Sequence, residues 1–395
     1  MKFDTIVLGC RKLVTLKGSP HPRTGAELSD LGIIDDGALA IHDGRVSAVG
    51  SRGEILASYE AAETIDLQGR VVLPSFVDAH THPVFVHTRE DEFAQRLAGR
   101  SYVEIAQSGG GIRSTLRSTR AADEDLLFEL ARQRIRRMAS QGTTTLEAKS
   151  GYGLDTASEL KQLRVIERLN RELPVNVVPT FMGAHEFPPE YKDDHAAYLD
   201  LLCNEMIPAV AEQGIANFCD IFTEAHVFSI AESQRVLSCA RDHGLRLKMH
   251  ADEIEPIGGA ELAAELGCVS ADHLGAASDA GIAALKEAGV IPVLLPATLF
   301  SLRSQRYARG REMIAHGLPV AIATDYNPGS CNCDSLLLTM SLACLQMGFS
   351  PAEALCAATI NAAHAIGLGD QVGSLEVGKW ADFTVWDIPS VNFLP

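Results

Sequence analysis

The sequence predicts an α/β protein, a (β/α)8 TIM-like barrel with a small β-sandwich domain formed by the N- and C-terminal segments. Three observations lead to this prediction. The middle of the chain alternates short apolar runs with segments of helical periodicity, while both ends contain brief β-rich runs separated by glycine turns. No G-x-G-x-x-G motif follows the first apolar run, so nothing favours the dinucleotide-binding form of the alternative, an open doubly wound sheet.

Both ends of the chain contain short runs that are typical of β-strands. Between Thr5 and about Asp66 the runs TIVLG, KLVTL and GALAIHDGRVSAVG are joined by Gly or Asp-Gly turns, and helical periodicity is nearly absent. The segment GSLEVGKWADFTVWDI near the C-terminus is similar. We therefore expect residues 1–66 and 366–395 to form one composite small β domain, with a barrel of residues 67–365 inserted between them.

The central segment contains eight strand candidates. They read RVVLPSFVDAH, GTTTLEAKS, VNVVPTFMGAH, NFCDIFTEA, RLKMHADE, CVSADHL, VIPVLLPAT and PVAIATDYN. Most are near-continuously apolar, which is typical of parallel strands buried on both faces. The segments between them have helical spacing, and several end in Gly, the usual residue after a helix C-terminus. Eight such units over about 300 residues match a closed barrel.

Composition and charge narrow the function classes. The net charge of −17 and the pI of about 5.2 argue against nucleic acid or an anionic membrane as partner, because both require a basic surface. The N-terminus does not resemble a signal peptide, and no apolar run approaches the roughly 20 residues that span a bilayer. Nine scattered cysteines indicate reduced thiols, and the lone pair Cys331-x-Cys333 is a weak zinc signal. We expect a cytoplasmic protein.

Ionisable residues stand at the C-terminal ends of seven of the eight predicted strands. Five of the 13 histidines are among them. In a barrel these ends converge on one mouth, where barrel active sites are built. His80 and His82 are two positions apart, so they point to the same face of an extended segment. The residues at these strand ends are His80, His82, Glu147, His185, Glu224, His250, Asp252, Glu253, Asp272, His273 and Asp325.

Imidazole nitrogens and a carboxylate oxygen are ligands for zinc or ferrous iron, and a catalytic site leaves one coordination position open for water. We therefore predict that one divalent transition metal, zinc or iron, is held by His80, His82, His250 and Asp325. The alternatives are that the histidines are separately hydrogen-bonded core residues and that Asp325 belongs to a turn before Asn327-Pro328-Gly329.

The motif VDAHTHP after the first strand, the later strand-end histidines, the TD pair after the eighth strand and the closing GSLEVGKWADFTVWD resemble the amidohydrolase superfamily. The longer segments EAKSGYGLDTASELKQLRVIERL, FMGAHEFPPEY, HADEIEPIGGAELAAELG and ATDYNPGS resemble one group within it. This resemblance implies a hydrolase that opens the ring of 4-imidazolone-5-propanoate with water to give N-formimidoyl-L-glutamate in histidine degradation. Homodimers are common in the superfamily. The fourth strand has no lysine that could bridge a second metal, which favours one metal per chain.

The resemblance and the chemistry of ring opening together assign roles. His273 would orient the attacking water or accept its proton and stabilise the oxyanion, and Glu253 would carry a proton to a ring nitrogen. Asp325 belongs to the catalytic set as well as to the metal ligands. Arg89 would hold the substrate carboxylate through two parallel hydrogen bonds. The resemblance also implies substrate contacts at Tyr152 and His185. It implies further contacts at Asn327, Gly329 and Ser330, where backbone N–H groups and a hydroxyl could meet an anion.

Two positions depart from the family pattern. His87 and His226 stand where small residues are expected, which bears on the edge of the pocket.

Two other functions are alternatives to this prediction. The first alternative is another one-metal amidohydrolase, such as a deaminase of a heterocycle. The second is a non-catalytic barrel, which would have lost metal ligands that this chain retains. The run Gly109–Gly111 predicts a mobile loop over the barrel mouth.

Overall fold

The computed structural model describes residues 2–100, 104 and 111–395. The glycine run predicted to form a loop over the mouth lies outside the described residues, except for Gly111. The described part contains two sheets, one of five strands and one of eight parallel strands. The predicted fold class, a TIM-like barrel with a separate sheet from the termini, is confirmed.

The five-stranded sheet combines both ends of the chain. Its strands are β1 (Lys2–Val14), β2 (Ile33–His42), β3 (Arg45–Ser51), β4 (Glu60–Pro74) and β13 (Phe383–Trp386). They lie in the order β13-β4-β1-β2-β3, with β1 and β4 parallel and the other neighbours antiparallel. The division of the chain into domains at residues 66 and 366 stays a prediction.

The eight-stranded sheet follows chain order. Its strands are β5 (Phe76–Asp78), β6 (Thr143–Lys149), β7 (Asn176–Ala184), β8 (Phe218–Thr223), β9 (Arg246–Ala251), β10 (Ser270–His273), β11 (Ile291–Leu294) and β12 (Ala321–Ile322). Beyond the ends of β5 and β12, Thr81 and Tyr326 form a parallel bridge, and the His82 N–H donates to the Tyr326 carbonyl at 2.8 Å. This contact closes the sheet next to the H-x-H motif.

The first predicted barrel strand is divided in the structure. Its apolar beginning, Val71–Pro74, belongs to β4 and pairs with β13, and the barrel strand β5 begins only at Phe76. Val71, Val72 and Leu73 are fully buried, as a central barrel strand would be. An apolar run shows that a strand is covered on both faces, but it does not show which sheet it joins.

The first α-helix packs beside β2 and β3 of the five-stranded sheet, and the other α-helices follow strands of the barrel. They are α1 (Arg52–Ser58), α2 (Glu90–Leu97), α3 (Ile112–Ala121), α4 (Glu124–Ser140), α5 (Thr156–Glu172), α6 (His195–Leu201), α7 (Ile207–Gln213), α8 (Ile230–Asp242), α9 (Gly259–Leu266), α10 (Asp279–Ala288), α11 (Pro296–Ser301), α12 (Gly310–Ala315), α13 (Leu336–Met347), α14 (Pro351–Ala357) and α15 (Ile360–Ala365). A π-helical turn, Leu202–Met206, joins α6 to α7.

Local sequence signals explain where several helices begin and end. Asp155 and Ser278 accept a backbone N–H at the start of α5 and α10, and Gly267, Gly289 and Gly348 end α9, α10 and α13 in the left-handed region. Among the described residues, no helix has the length and apolarity needed to cross a membrane. All nine cysteines are free thiols.

Candidate active site

The H-x-H motif lies at the barrel mouth directly after β5. His80 and His82 are 0% and 2% exposed, and their Nε2 atoms face each other at 3.2 Å. Two backbone bonds tie this segment to the residues after β12, because the Asp325 N–H donates to the His80 carbonyl at 3.0 Å and the His82 N–H donates to that of Tyr326. Asp325 has a φ of 52°, a conformation that costs free energy in a non-glycine residue and is typical of functional sites.

The side chain of Asp325 completes a compact set of donor atoms. Its Oδ1 lies 3.5 Å from His80 Nε2 and 3.6 Å from His82 Nε2. Ligand atoms about 2.0–2.2 Å from a zinc ion at tetrahedral angles lie roughly 3.3–3.6 Å from one another. The three measured separations are close to that range, so His80, His82 and Asp325 fit one divalent metal.

His250, on β9, brings a further imidazole to this set. Its ring centroid is 4.4 Å from that of His80, and donor atoms of His80, His250 and His273 all lie within 4.8 Å of one another. The four predicted ligands are therefore brought together, with His273 beside them. A buried histidine and aspartate cluster able to hold a metal is present, as the sequence predicts.

Carboxylates lie behind two of the imidazoles, and one of them, Asp272, hydrogen-bonds to His80. His80 Nδ1 lies 2.6 Å from Asp272 Oδ2, and His250 Nδ1 lies 3.1 Å from Asp220 Oδ2. An imidazole that donates Nδ1–H to a carboxylate keeps its Nε2 lone pair for a metal and becomes more basic. Asp272 therefore supports His80.

Two lysines and three carboxylates form a completely buried ion cluster below the histidines. Lys149 Nζ contacts Asp220 Oδ2 at 2.6 Å and Glu147 Oε2 at 2.7 Å, and Lys248 Nζ contacts Glu147 Oε2 at 2.9 Å. Burial lowers the pKa of Lys149, but attraction by Asp220, Glu147 and Asp272 outweighs it and raises the pKa above its ordinary value. Lys149 and Glu147 thus pair inside the barrel, below its mouth.

Lys248 and Asp220 have no role in the prediction from sequence. A usable signal was present, because Lys248 lies two positions before His250 on the same strand and therefore shares its inward face. A lysine at an inward position of a buried strand requires a carboxylate partner. The partner itself lies on a distant strand, so its identity could not be inferred from spacing.

A cavity of about 300 Å³ opens above the donor set. It brings together every residue predicted to contact substrate, along with several that were not predicted. Its lining residues are His82, Arg89, Arg96, Ile112, Tyr152, His185, Glu186, Phe222, His226, His250, Glu253, Ile254, His273, Leu302, Asp325, Asn327, Gly329 and Ser330. His226, one of the two departures from the family pattern, is thus at the pocket edge, whereas His87 is exposed and is not among these residues.

His273 and Glu253 face each other in this cavity. His273 is 5% exposed, and neither ring nitrogen has a hydrogen-bond partner among the described residues, while its Nδ1 lies 3.4 Å from Glu253 Oε2. Burial lowers the pKa of His273 well below its ordinary value. Burial also raises the pKa of Glu253 to about 8, with repulsion from Asp325 and Glu224 adding to the effect. At neutral pH the imidazole is therefore neutral and the carboxyl group protonated.

Arg89 is already paired in the structure. Its Nη2 donates to Glu92 Oε2 at 2.7 Å, and its side chain is 12% exposed. The guanidinium lies against Gly329, where an added Cβ would come within 2.3 Å of Arg89 Nη1, so glycine is required for this packing. Glu92 has no role in the sequence prediction, since nothing in the pattern of α2 separates it from its acidic neighbours Glu90 and Asp91.

The turn after Asp325 differs from expectation in one respect. Backbone N–H groups there were expected to meet an anion, but those of Gly329 and Ser330 both donate to Asn327 Oδ1 at 2.8 Å. Asn327 Nδ2 donates to the Asp325 carbonyl at 2.8 Å and to its Oδ1 at 3.1 Å. Asn327 therefore holds the turn and Asp325 together, and the Ser330 hydroxyl remains as a donor from this turn.

Tyr152 and His185 also line the cavity. Tyr152 is 3% exposed, and the His185 ring stacks on that of His82 with centroids 5.2 Å apart. His185 Nδ1 lies 3.0 Å from the Gly151 carbonyl, so Nδ1 carries the proton and Nε2 is an acceptor. Burial lowers the pKa of His185 to about 3, so the ring is neutral.

The barrel, the terminal sheet and the His/Asp cluster define a metal-site hydrolase of the amidohydrolase class. The model of the amidohydrolase family matches residues 71–394. Solved structures of similar shape include an adenosine deaminase from Xanthomonas campestris with bound zinc, with a TM-score of 0.71 and 19% identity over 99% of this chain and 86% of that one. The E. coli guanine deaminase has a TM-score of 0.72 and 17% identity over 99% and 94%. At these identities the likeness shows the fold alone.

Relatives with much higher sequence identity define the particular group. The imidazolonepropionase of Symbiobacterium thermophilum is 52% identical over 99% of this chain and 93% of its own length. That of Geobacillus kaustophilus is 49% identical over 96% and 91%. The chain belongs to the imidazolonepropionases of the amidohydrolase family. The predicted family and enzyme class are thus confirmed.

Proposed function

We propose that this chain opens the ring of 4-imidazolone-5-propanoate with water to give N-formimidoyl-L-glutamate, using the residues that line the cavity. The observation that carries the proposal is a metal-capable His/Asp cluster sharing one cavity with Arg89, in a chain about half identical to imidazolonepropionases. In the reaction a water oxygen bonds to the ring carbonyl carbon, the bond from that carbon to the ring nitrogen breaks, and the nitrogen takes a proton.

His80, His82, His250 and Asp325 would hold one divalent metal, zinc or iron, in each chain. When bound, such a metal acts as a Lewis acid and makes water a stronger nucleophile near neutral pH. A single metal is favoured because Lys149 already contacts two carboxylates and is not free to bridge a second ion.

His273 is suited to handle the proton of the attacking water. It is neutral, and its two nitrogens have no hydrogen-bond partner within the described part of the chain. A neutral imidazole at the cavity wall can accept the water proton, and the imidazolium that results stabilises negative charge developing on the carbonyl oxygen.

Glu253 is suited to supply the proton that the departing nitrogen requires. Its carboxyl group lines the cavity and is protonated at neutral pH, because burial raises its pKa to about 8. His273 and Glu253 thus form an acid–base pair whose environments separate their pKa values. The proton that His273 gains can pass back to Glu253 across their 3.4 Å contact when the product leaves.

Arg89 is suited to hold the propionate arm. One edge of its guanidinium is used by Glu92, and its Nε has no partner among the described residues. The substrate carboxylate would therefore share Arg89 with Glu92, with Tyr152 and Ser330 donating further hydrogen bonds. His185 can accept a hydrogen bond from a ring N–H through Nε2.

Location and assembly belong to the same proposal. We propose that the enzyme acts in the cytoplasm as a homodimer, without nucleic acid or membrane partners. The net charge of −17 and the free thiols support this, as does the family to which the chain belongs.

The direct test is an assay of the purified, metal-loaded chain with freshly prepared imidazolone propionate. We expect loss of the absorbance of the ring and formation of formimidoylglutamate without free ammonia. Ammonia release from this substrate or from a purine or pyrimidine, without ring opening, would instead support the alternative, a heterocycle deaminase.

A further inference from the structure

A second glutamate, Glu224, is bound to the backbone that carries Glu253. Glu224 follows β8, is 0% exposed and is not among the residues that line the cavity. Its Oε2 accepts the Ile254 N–H at 3.0 Å, and its Oε1 accepts the N–H groups of Glu255 at 3.2 Å and of Ala225 at 3.1 Å. Two of these three donors are the peptides that directly follow Glu253.

The backbone before and beside Glu253 is held as well. Asp252 accepts four N–H groups at the start of α9, at 2.9–3.2 Å, from the residues Ile257, Gly258, Gly259 and Ala260. A Cβ on Gly275 would lie 2.6 Å from the Glu253 carbonyl oxygen, so that strand end packs directly on this peptide. Glu224 is thus the contact from β8, the neighbouring strand, that fixes the segment after Glu253.

We propose that Glu224 is a positioning residue for Glu253, holding the 253–255 backbone so that the Glu253 carboxyl group reaches the ring nitrogen. This inference rests on the proposed function, in which Glu253 is the proton donor. A donor must stand within hydrogen-bond reach of its acceptor, and a misplacement of about 1 Å can lower the rate by about 100-fold.

The charge of Glu224 supports the same inference. After burial and Asp325, repulsion by Glu224 is a further cause that raises the pKa of Glu253. Glu224 thereby keeps Glu253 protonated at a higher pH as well as holding it in place. Among the described residues, Glu224 and Asp325 raise the pKa of Glu253 and His273 contacts it. The other titratable and charged side chains that line the same cavity are His82, Arg89, Arg96, Tyr152, His185, Glu186, His226 and His250.

Glu159 provides a matched comparison. It is also 0% exposed and outside the cavity, and it accepts the N–H groups of Gly151 at 3.0 Å, Gly153 at 2.7 Å and Leu154 at 2.8 Å. These peptides flank Tyr152. The two buried carboxylates therefore hold different pocket segments by the same kind of contact, one under the acid and one under a substrate-binding residue.

The test compares Glu224→Gln with Glu159→Gln through the pH dependence of kcat and KM, with metal content and thermal unfolding measured for each. For Glu224→Gln we expect kcat to fall about 10- to 100-fold and the alkaline limb of the kcat profile to move to lower pH, because the removed negative charge no longer disfavours ionisation of Glu253. For Glu159→Gln we expect a higher KM and an alkaline limb at the wild-type pH.

A third variant distinguishes the effect of the Glu224 charge from the effect of its side-chain length. Glu224→Asp keeps the charge but shortens the side chain, so kcat should fall while the alkaline limb stays near its wild-type pH; this variant also serves if Glu224→Gln does not fold. An alkaline limb that stays in place in Glu224→Gln, or that moves equally in both amide variants, would overturn the proposal. A wild-type enzyme that opens the ring without any alkaline limb would refute it too, whereas no ring opening at all would refute the proposed function itself.

Discussion

The site has a lower half inside the barrel and an upper half at its mouth, and the two halves differ in how their charges are paired. Below the histidines, Lys149 and Lys248 meet Glu147, Asp220 and Asp272 in a completely buried cluster. Above them, His273 has no hydrogen-bond partner among the described residues, and Arg89 has one carboxylate for a fork that can bind two. The lower half is built to hold its own geometry, and the upper half keeps donors and acceptors for a substrate.

Removing the metal should have the largest effect on activity, since its predicted ligands lie where the two halves meet. We expect about one zinc or iron per chain and complete loss of activity on chelation, restored by either metal, because His80, His82, His250 and Asp325 form one open site. Metal analysis of the purified protein with activity before and after chelation measures this. Two metals per chain, or full activity without metal, would refute the single-site model.

Within the upper half, the acid–base pair should carry the next largest effect. His273→Ala and Glu253→Gln should each lower kcat about 10²- to 10⁴-fold, the usual contribution of a positioned acid or base, while metal content stays unchanged. Steady-state kinetics and metal analysis check both parts. Loss of metal in His273→Ala would make His273 a ligand and contradict the assignment of four ligands.

In the lower half, removing one lysine should lower the stability of the protein. Lys149→Met leaves Asp220 and Glu147 buried with an unmatched charge, so the free energy of unfolding should fall by about 3–5 kcal/mol. Denaturant unfolding measures the change. The control is Arg164→Met, which breaks an exposed pair with Glu124 and should change stability by only about 0–1 kcal/mol. Equal effects of the two variants would show that the buried cluster contributes no more to stability than an exposed ion pair does.

Removing the Arg89 guanidinium should lower activity and have little effect on the free energy of unfolding. Arg89→Met should weaken kcat/KM by about 2–5 kcal/mol, because the propionate loses its charged partner, and should remove most discrimination against an imidazolone without the carboxylate. Kinetics with both substrates on both proteins measure this. Arg235→Met, which removes an exposed pair with Asp200 on the outer helix α8, is the control and should leave kcat/KM unchanged. If Arg89→Met slows both substrates equally, Arg89 does not bind the carboxylate.

The smallest expected effect tests how the lower half supports the metal ligands. Asp272→Asn removes the carboxylate that receives His80 Nδ1–H, so metal affinity should fall about 10- to 100-fold. Competition with a metal chelator measures the affinity. An unchanged affinity would mean that His80 is oriented by its packing alone.

Local patterns in the sequence predicted much of the fold and of the candidate site. Eight apolar runs alternating with helical segments predict the barrel, because strands buried on both faces must be apolar and parallel strands require helical crossovers. His80, His82, His250 and Asp325 could be grouped from sequence because the ends of parallel barrel strands must meet at one mouth.

The tertiary structure alone decided which distant partners meet. Asp272 bonds His80 across 192 positions of the chain, and Asp220 bonds Lys149 across 71, so no spacing rule connects them. It also placed Val71–Pro74 in the terminal sheet and turned the Gly329 and Ser330 N–H groups to Asn327. Periodicity and motifs report a residue's neighbours along the chain and the face it occupies. Pairing across strands depends on the register and packing of the whole barrel, which no single segment contains.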